Sequence, residues 1–352
     1  MRKNSLPLKG IFFGVATSVV ILLVIQKIFG AKIDLDLLKN AWNVVFSAIF
    51  VLLFSWCISA LRIMLLLRTL NNRLSYFRSY RSIVLSFFFS AITPFAAGGQ
   101  PFQIYDLTRA KIPVSNASAA VISQYLMTNF ATAFLAILLL PHYLTFFSKL
   151  ETLGTVFAIG ILITVGAGIF FTILALSRKM LIGFLNFLSR RKLLFKIVCK
   201  LTKKEKKEIL EDIREKFKSY NDGMRNIWSK KPLTLFNDFL LAIGYLLTSY
   251  GVFYIVMVGL LSPGTEYSFS FIDSVVAQVL LSFVVYFIPT PGSSGGFESG
   301  MFAMLKNMLP DQQLIIGISI WRFVTYHFLI LIGLLSFLLN FGKKPPKELT
   351  RT

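Results

Sequence analysis

Six stretches of the chain are apolar over the ~20 residues that a helix needs to cross the core of a bilayer. They fall at about 10–28, 41–67, 114–140, 152–177, 236–261 and 312–341. Two further apolar segments, 82–111 and 271–309, lie between them; each is too long for one crossing and is interrupted near its middle. The interruption is the same in both. Thr93-Pro94-Phe95-Ala96-Ala97-Gly98-Gly99 and Thr290-Pro291-Gly292-Ser293-Ser294-Gly295-Gly296 each read T-P-x-x-x-G-G, and Leu85-Ser86-Phe87 and Leu281-Ser282-Phe283 precede them. Proline lacks an amide donor and paired glycines weaken a helix. Broken backbone at membrane depth is tolerated only where protein or a wet cavity satisfies its polar groups. Each segment therefore predicts a helix–break–helix hairpin that enters and leaves the membrane on one side. The pattern as a whole predicts an all-α polytopic membrane protein with six full spans and two re-entrant hairpins.

Charge orients this arrangement. Net charge is +21, but the bases are grouped. Arg2, Lys3 and Lys9 precede the first span; Arg68, Arg73, Arg78 and Arg81 follow the second; Lys343, Lys344, Lys347 and Arg351 follow the last. The segment 178–235 is dense in Lys and Arg, whereas 141–151 has only Lys149 and 262–270 has no base. Six spans with both termini inside place every basic segment in the cytoplasm, as the positive-inside rule requires. The first hairpin then enters from the cytoplasmic side and the second from the outer side, an inverted pseudo-two-fold arrangement of two halves. Met1-Arg2-Lys3 before an apolar run resembles a signal peptide, but no A-x-A-like cleavage site follows, so the run is expected to stay as a first helix.

Within 178–235, Ile209, Ile213, Phe217 and Tyr220 recur at helical spacing among Lys and Glu. This predicts an amphipathic helix, which either lies on the anionic inner leaflet or packs on the cytoplasmic ends of the spans. The chain is 55% hydrophobic with mean hydropathy +0.70, and its 36 Phe read as lipid-facing bulk. Cys57 and Cys199 lie in unlike settings, one in a span and one in a basic loop, so neither a disulfide nor a metal site is expected. No recognition motif accompanies the basic segments, which argues against nucleic-acid binding.

Ionisable and polar groups at membrane depth are costly and are the first candidates for function. Gln100, Gln103, Asp106 and Arg109 follow Gly98 and Gly99; Glu298 follows Gly295 and Gly296; the last span carries Arg322 and His327. A mid-span Arg needs an anionic partner, and Glu298 is the nearest acid in sequence. The pair either locks the second hairpin to the last span or also meets a lipid phosphate, which a guanidinium holds bidentately. Helix starts after the glycine pairs add positive dipole ends. The glycines also permit close helix packing, which is their plainer role. Asp238 and Asp273 are placed near the interface, His327 in a hydrogen-bonded core, and Gln124, Thr128 and Asn129 either along a cavity or in interhelical bonds. No P-loop and no metal-ligand cluster is present, and Ser293 and Ser294 have no base nearby to activate them. Neither a cofactor nor a metal is expected.

Thr93 to Pro101 (T-P-F-A-A-G-G-Q-P), Pro289 to Glu298 (P-T-P-G-S-S-G-G-F-E) and Trp321 to His327 (W-R-F-V-T-Y-H) resemble the lysylphosphatidylglycerol synthase transmembrane family, the flippase-like half of the multiple peptide resistance factor. The resemblance runs from about residue 10 to 341. It implies one flippase-like domain over 1–352. Its first half is 1–177 with hairpin 82–111, and its second half is 236–341 with hairpin 271–309. The basic cytosolic loop 178–235 lies between them, and a cytosolic tail, 342–352, follows. It implies a multi-pass protein of the prokaryotic plasma membrane that moves a phospholipid such as lysyl-phosphatidylglycerol; the residues themselves place Gly98, Gly99, Gln100, Gln103, Arg109, Gly295, Gly296, Glu298 and Arg322 around the headgroup. Anionic inner-leaflet lipids are the expected partner of 178–235, and an oligomer is compatible with the sequence. Relatives with lysyltransferase activity carry a cytosolic synthase domain after the membrane part. The sequence ends about ten residues past its last span, so that activity is not expected here. A lipid-metabolising transferase and a non-catalytic accessory subunit of an envelope-synthesis complex are the alternatives.

Overall fold

The computed structural model describes residues 42–139, 141–142, 206–261, 269–285 and 288–341, with isolated positions between 162 and 183. The expected first span 10–28, nearly all of the expected span 152–177, most of the basic segment before 206 and the C-terminal tail lie outside the described residues. The described elements are helical. In chain order they are α1 (Trp42–Thr69), α2 (Tyr76–Ala91), α3 (Gly99–Arg109), α4 (Val114–Leu138), α5 (Lys206–Trp228), α6 (Pro232–Leu260), α7 (Phe271–Val285), α8 (Gly296–Leu305), α9 (Asp311–Arg322) and α10 (Phe328–Phe341). Short 3-10 turns, Pro94–Ala96 and Pro291–Ser293, fill the two breaks. Among the described residues four helices are long and apolar enough to cross a membrane: α1, α4, α6 and the continuous run Asp311–Asn340. Each coincides with an expected span to within a few residues.

Both interrupted segments fold back on themselves. In the first, Phe89 stacks on Phe102 with ring centroids 3.7 Å apart, and Arg81 reaches Asp106, so early residues of α2 face late residues of α3. A Cβ on Gly99 would stand 2.0 Å from Ser90 Oγ and 2.9 Å from the Ser86 carbonyl oxygen. That glycine is therefore required by the close approach of the two arms. In the second, a Cβ on Gly300 of α8 would meet Leu281 of α7 at 2.2 Å. Charge put Arg81 in a loop over 68–81; instead α2 begins at Tyr76 and carries Arg81 into the hairpin.

The two halves repeat the order long helix, hairpin, long helix: α1–α2–α3–α4 and α6–α7–α8–α9/α10. The equivalent helices α1 and α6 run antiparallel. Arg62, late in α1, pairs with Asp238, early in α6, while Val44, early in α1, packs on Gly259, late in α6. Antiparallel equivalents are the signature of an inverted repeat. A small residue allows this contact: a Cβ on Gly259 of α6 would stand 2.5 Å from Val44 of α1. In lipid, such close van der Waals fit replaces the hydrophobic drive that lipid tails cannot supply.

One core joins both hairpins to α1, α6 and α9/α10. A second, smaller core lies at the basic end, where Leu66, Leu67, Leu107 and Ala117 meet Tyr220, Met224 and Ile227 of α5. The described side chains of the amphipathic helix thus pack on the ends of the spans, with the Trp228 indole donating to Ser123 Oγ at 2.9 Å. Burial there pushes the Tyr220 phenol well above its ordinary pKa. The side chains of Ile209 and Ile213 lie outside the described residues.

The α1–α6 contact yields a stability test. Gly259→Leu places side-chain atoms where Val44 already sits, 2.5 Å from the added Cβ. Overpacking of this kind costs about 1–3 kcal/mol. Thermal unfolding in detergent should show a lowered midpoint, whereas Gly244→Ala in the same helix, with open space around it, should not lower it.

Candidate functional site

The two breaks touch each other, and Tyr326 of the last span lies beside both. Their backbones match. Phe95 and Ala96 in the first, and Gly292 and Ser293 in the second, occupy consecutive left-handed conformations, with φ of 56°, 53°, 61° and 49°. Gly292 cannot be replaced for a second reason: a Cβ there would stand 2.1 Å from the ring of Tyr326. The Tyr326 hydroxyl lies 3.4 Å from the carbonyl oxygens of both Ala91 and Pro291, one at each break. A single phenol on the last span thus bridges the two hairpins.

One helical turn before Tyr326 is Arg322. Its Nε donates to Glu298 Oε1 at 2.8 Å, and both side chains are buried, 4% and 0% exposed. The other carboxylate oxygen, Oε2, accepts the Gly295 amide at 2.7 Å. Gly295 has φ +95°, a conformation only glycine adopts freely, so the break can present that amide to the first turn of α8. Arg322 Nη2 makes longer contacts, 3.4 Å to the Gly292 carbonyl and 3.3 Å to Ser294 Oγ. The guanidinium lies over the Tyr326 ring at 4.5 Å and near Phe297 at 5.6 Å. The backbone changes character at this point. Phe323–His327 forms a π-helical turn, and His327 Nδ1 lies 3.2 Å from the Arg322 carbonyl oxygen. A carbonyl only accepts, so Nδ1 carries the hydrogen. π-turns inside long helices frequently accompany functional positions.

The structure brings Gly295, Gly296, Glu298 and Arg322 into one network and sets the break that ends in Gly98 and Gly99 against it. Gln103 lies one turn into α3 and is buried; Gln100 is partly exposed. Arg109 is not part of this cluster. It ends α3, roughly 15 Å along the helix from Gly99 at 1.5 Å per residue, beside the Arg81–Asp106 pair. The expected grouping of Arg109 with Arg322 is corrected accordingly: a straight helix separates them.

A second buried ion pair escaped the sequence reading. Arg62, 1% exposed, donates through Nε to Asp238 Oδ1 at 2.9 Å and through Nη2 to Oδ2 at 3.2 Å. Its Nη1 donates to Thr128 Oγ1 at 2.8 Å and its Nη2 to the Gln124 carbonyl at 2.9 Å. Gln124 in turn donates to the Ser59 carbonyl at 2.9 Å. Asp238 therefore lies in the core, and Gln124 and Thr128 serve interhelical bonding. Asp273 is instead a helix cap, accepting from the Ser270 amide at 2.8 Å. The missed signal was available: Arg62 is the one base inside the apolar run of the second span. Among the described residues no group of three or more His, Cys, Asp or Glu is placed to hold a metal ion.

Removing one partner of a buried ion pair costs about 3–5 kcal/mol, because the other charge is left uncompensated. Arg322→Ala and Arg62→Ala should each lower the unfolding midpoint sharply. Replacing both members of a pair with apolar residues, Arg322→Met with Glu298→Leu, should be milder for the pair itself. The double variant still loses the carboxylate on the Gly295 amide, so stability is expected between wild type and Arg322→Ala. Thermal unfolding of the purified variants in one detergent checks this order.

Similarity to known proteins agrees with this architecture. The family described as lysylphosphatidylglycerol synthase TM region matches residues 11–333. A protein of Archaeoglobus fulgidus named "UPF0104 membrane protein" is 26% identical over 330 residues, which is 92% of this chain and 94% of that protein. The match spans both hairpins, the Arg62–Asp238 pair and the Arg322–Glu298 network. The chain belongs to the family of the lysylphosphatidylglycerol synthase TM region.

Proposed function

We propose that this protein carries a phospholipid between the two leaflets of a prokaryotic plasma membrane without covalent chemistry. The observation that carries the reading is the meeting of two broken helices, from halves whose long helices run antiparallel, around a buried guanidinium. Such a crossing point is where membrane transporters place a substrate, because broken backbone supplies polar groups that no continuous helix offers. The lipid is an anionic or zwitterionic one; the family name suggests lysyl-phosphatidylglycerol or a relative. Arg322 suits the headgroup phosphate. Its Nη2 contacts of 3.4 and 3.3 Å are at the weak end of hydrogen bonding. A phosphate oxygen would replace them with a shorter, charge-assisted bond.

In this reading the hairpins are re-entrant from opposite faces, and the termini and the α5 end face the cytoplasm. The chain from 1 to 352 works as one transmembrane domain. Arg68, Arg73, Arg78, Lys111, Lys218 and Arg225 are exposed at the α5 end, where they favour an anionic inner leaflet. Gly98, Gly99, Gln100, Gln103, Gly295, Gly296 and Glu298 shape the crossing point, and Arg109 serves the cytoplasmic end.

The test is movement of fluorescently labelled phosphatidylglycerol in proteoliposomes, read by dithionite quenching. Wild type should expose the inner-leaflet label faster than empty liposomes, and Arg322→Ala and Gly295→Leu should be slowed. If wild type is no faster than empty liposomes, with and without an ion gradient, transport of that lipid is ruled out. If the protein with lysyl-tRNA makes aminoacylated lipid, a transferase replaces the carrier.

A further inference from the structure

Among the described residues, the buried side-chain atoms left without a hydrogen-bond partner are Arg81 Nε, Ser82 Oγ, Gln103 Nε2, Trp321 Nε1 and His327 Nε2. Three of these belong to one place, the inside of the first hairpin. Gly99, Gln103 and Asp106 recur at i, i+4 and i+7 on α3 and so share one face. Ser79, Ser82, Ser86 and Ser90 form the matching stripe on α2. Contacts close the seam at both ends. Gly99 approaches Ser86 and Ser90 near the break, and Arg81 Nη2 holds Asp106 Oδ1 at 3.1 Å at the other end. Between them Gln103 is 4% exposed and Ser82 is fully buried. The Ser82 hydroxyl faces the Asp106 carboxylate.

Buried polar atoms are almost always partnered, by protein or by water. Unpartnered polar atoms along a seam of serines and a glutamine offer the donors and acceptors that bridging water would satisfy. At its outer end Arg81 is 28% exposed, whereas Asp106 is 3% exposed. Arg81 Nη1 also donates to Asn340 Oδ1 on α10 at 3.0 Å, so the guanidinium that neutralises Asp106 ties the hairpin to the last helix. The other charge near Asp106 is Arg109, on the same arm. α4, which also packs on α3, contains no Asp, Glu, Lys, Arg or His.

We propose that the inside of the first hairpin is a proton pathway, with Asp106 as its protonatable group and the meeting breaks as its inner end. It rests on the transport reading, to which it adds an energy source. A hydronium at the basic end gives a proton to an Asp106 oxygen; the carboxylate becomes a neutral acid and the hydronium leaves as water. Arg81 then loses its counter-ion at Asp106, which weakens its hold on the hairpin while its bond to Asn340 persists. The arm α3 is freed to move against α2, which stays tied to α10. Transfer of the proton to water at the inner end, which leaves as hydronium, restores the carboxylate and the clamp. From Asp106 to Gly99 the path is about 10 Å long at 1.5 Å per residue.

Two measurements test this separately from lipid movement itself. In a Cys57→Ser, Cys199→Ser background, single cysteines at Ser82, Ser86 and Gln103 are exposed to a small water-soluble thiol reagent. They should react much faster than a cysteine at the exposed apolar position Leu331; rates equal to that control mean a dry seam and overturn the pathway. In proteoliposomes, a pH gradient should accelerate lipid movement by wild type, and Asp106→Asn should move lipid at a rate indifferent to the gradient. Gln103→Leu, which keeps the Arg81–Asp106 pair, should retain folding and lose the gradient response. A wild type that moves lipid with no response to the gradient refutes proton coupling while leaving transport intact. A wild type that moves no lipid refutes transport, and coupling with it.

Discussion

The carboxylate of Glu298 holds two kinds of structure together. One oxygen takes the Nε–H of Arg322 on the last span, and the other takes the amide of Gly295 in the break. The first bond neutralises a buried cation; the second satisfies a backbone donor that a continuous helix would have used itself. In a medium without water both needs are absolute. The position of α8, the path of the second break and the rotation of the last span are therefore set by one side chain. Tyr326 extends the arrangement to the first break through its hydroxyl, and Gly292 makes room for its ring.

The same constraint explains why the charges inside this bundle come in partnered sets. Arg62 with Asp238 joins the equivalent long helices of the two halves, and draws in α4 through Thr128 and Gln124. Arg81 with Asp106 closes the open end of the first hairpin and reaches α10. The three pairs differ in exposure. Arg62–Asp238 is sealed and suits a fixed frame; Arg322–Glu298 is equally buried, but Arg322 Nη2 keeps only long contacts. Arg81 reaches the surface, which suits a contact that opens.

The left-handed residues in the breaks add a further asymmetry. In the second copy glycine takes the first such position at no steric cost; in the first copy Phe95 takes it and remains about half exposed. A bulky residue in that region stores roughly 1–3 kcal/mol of strain. The surrounding packing must outweigh that, and the Phe89–Phe102–Phe337 cluster beneath the first break is the dense contact available to do so.

Helical spans, their limits and the doubled break were legible in the sequence because each rests on local rules: apolar length for a bilayer, and proline and glycine as helix breakers. α1, α4, α6 and the α9–α10 run lie where hydropathy puts them, and the hairpins fold where T-P-x-x-x-G-G interrupts them. Glu298 and Arg322 were legible as a pair because so few charges lie in apolar sequence that each has few possible partners. Arg62 with Asp238, 176 residues apart, was not paired, since Asp238 lies close enough to the basic segment to read as an interfacial residue. Arg109 fell among the candidate headgroup residues because nearness in sequence to Gly98 and Gly99 says nothing about the far end of a straight helix. The π-turn at Phe323–His327 and the bridging Tyr326 left no mark in the hydrophobic pattern. Local sequence fixes where the backbone is helical and where it breaks. Which buried polar groups satisfy one another depends on the antiparallel packing of two halves, and only the tertiary structure brings those halves together.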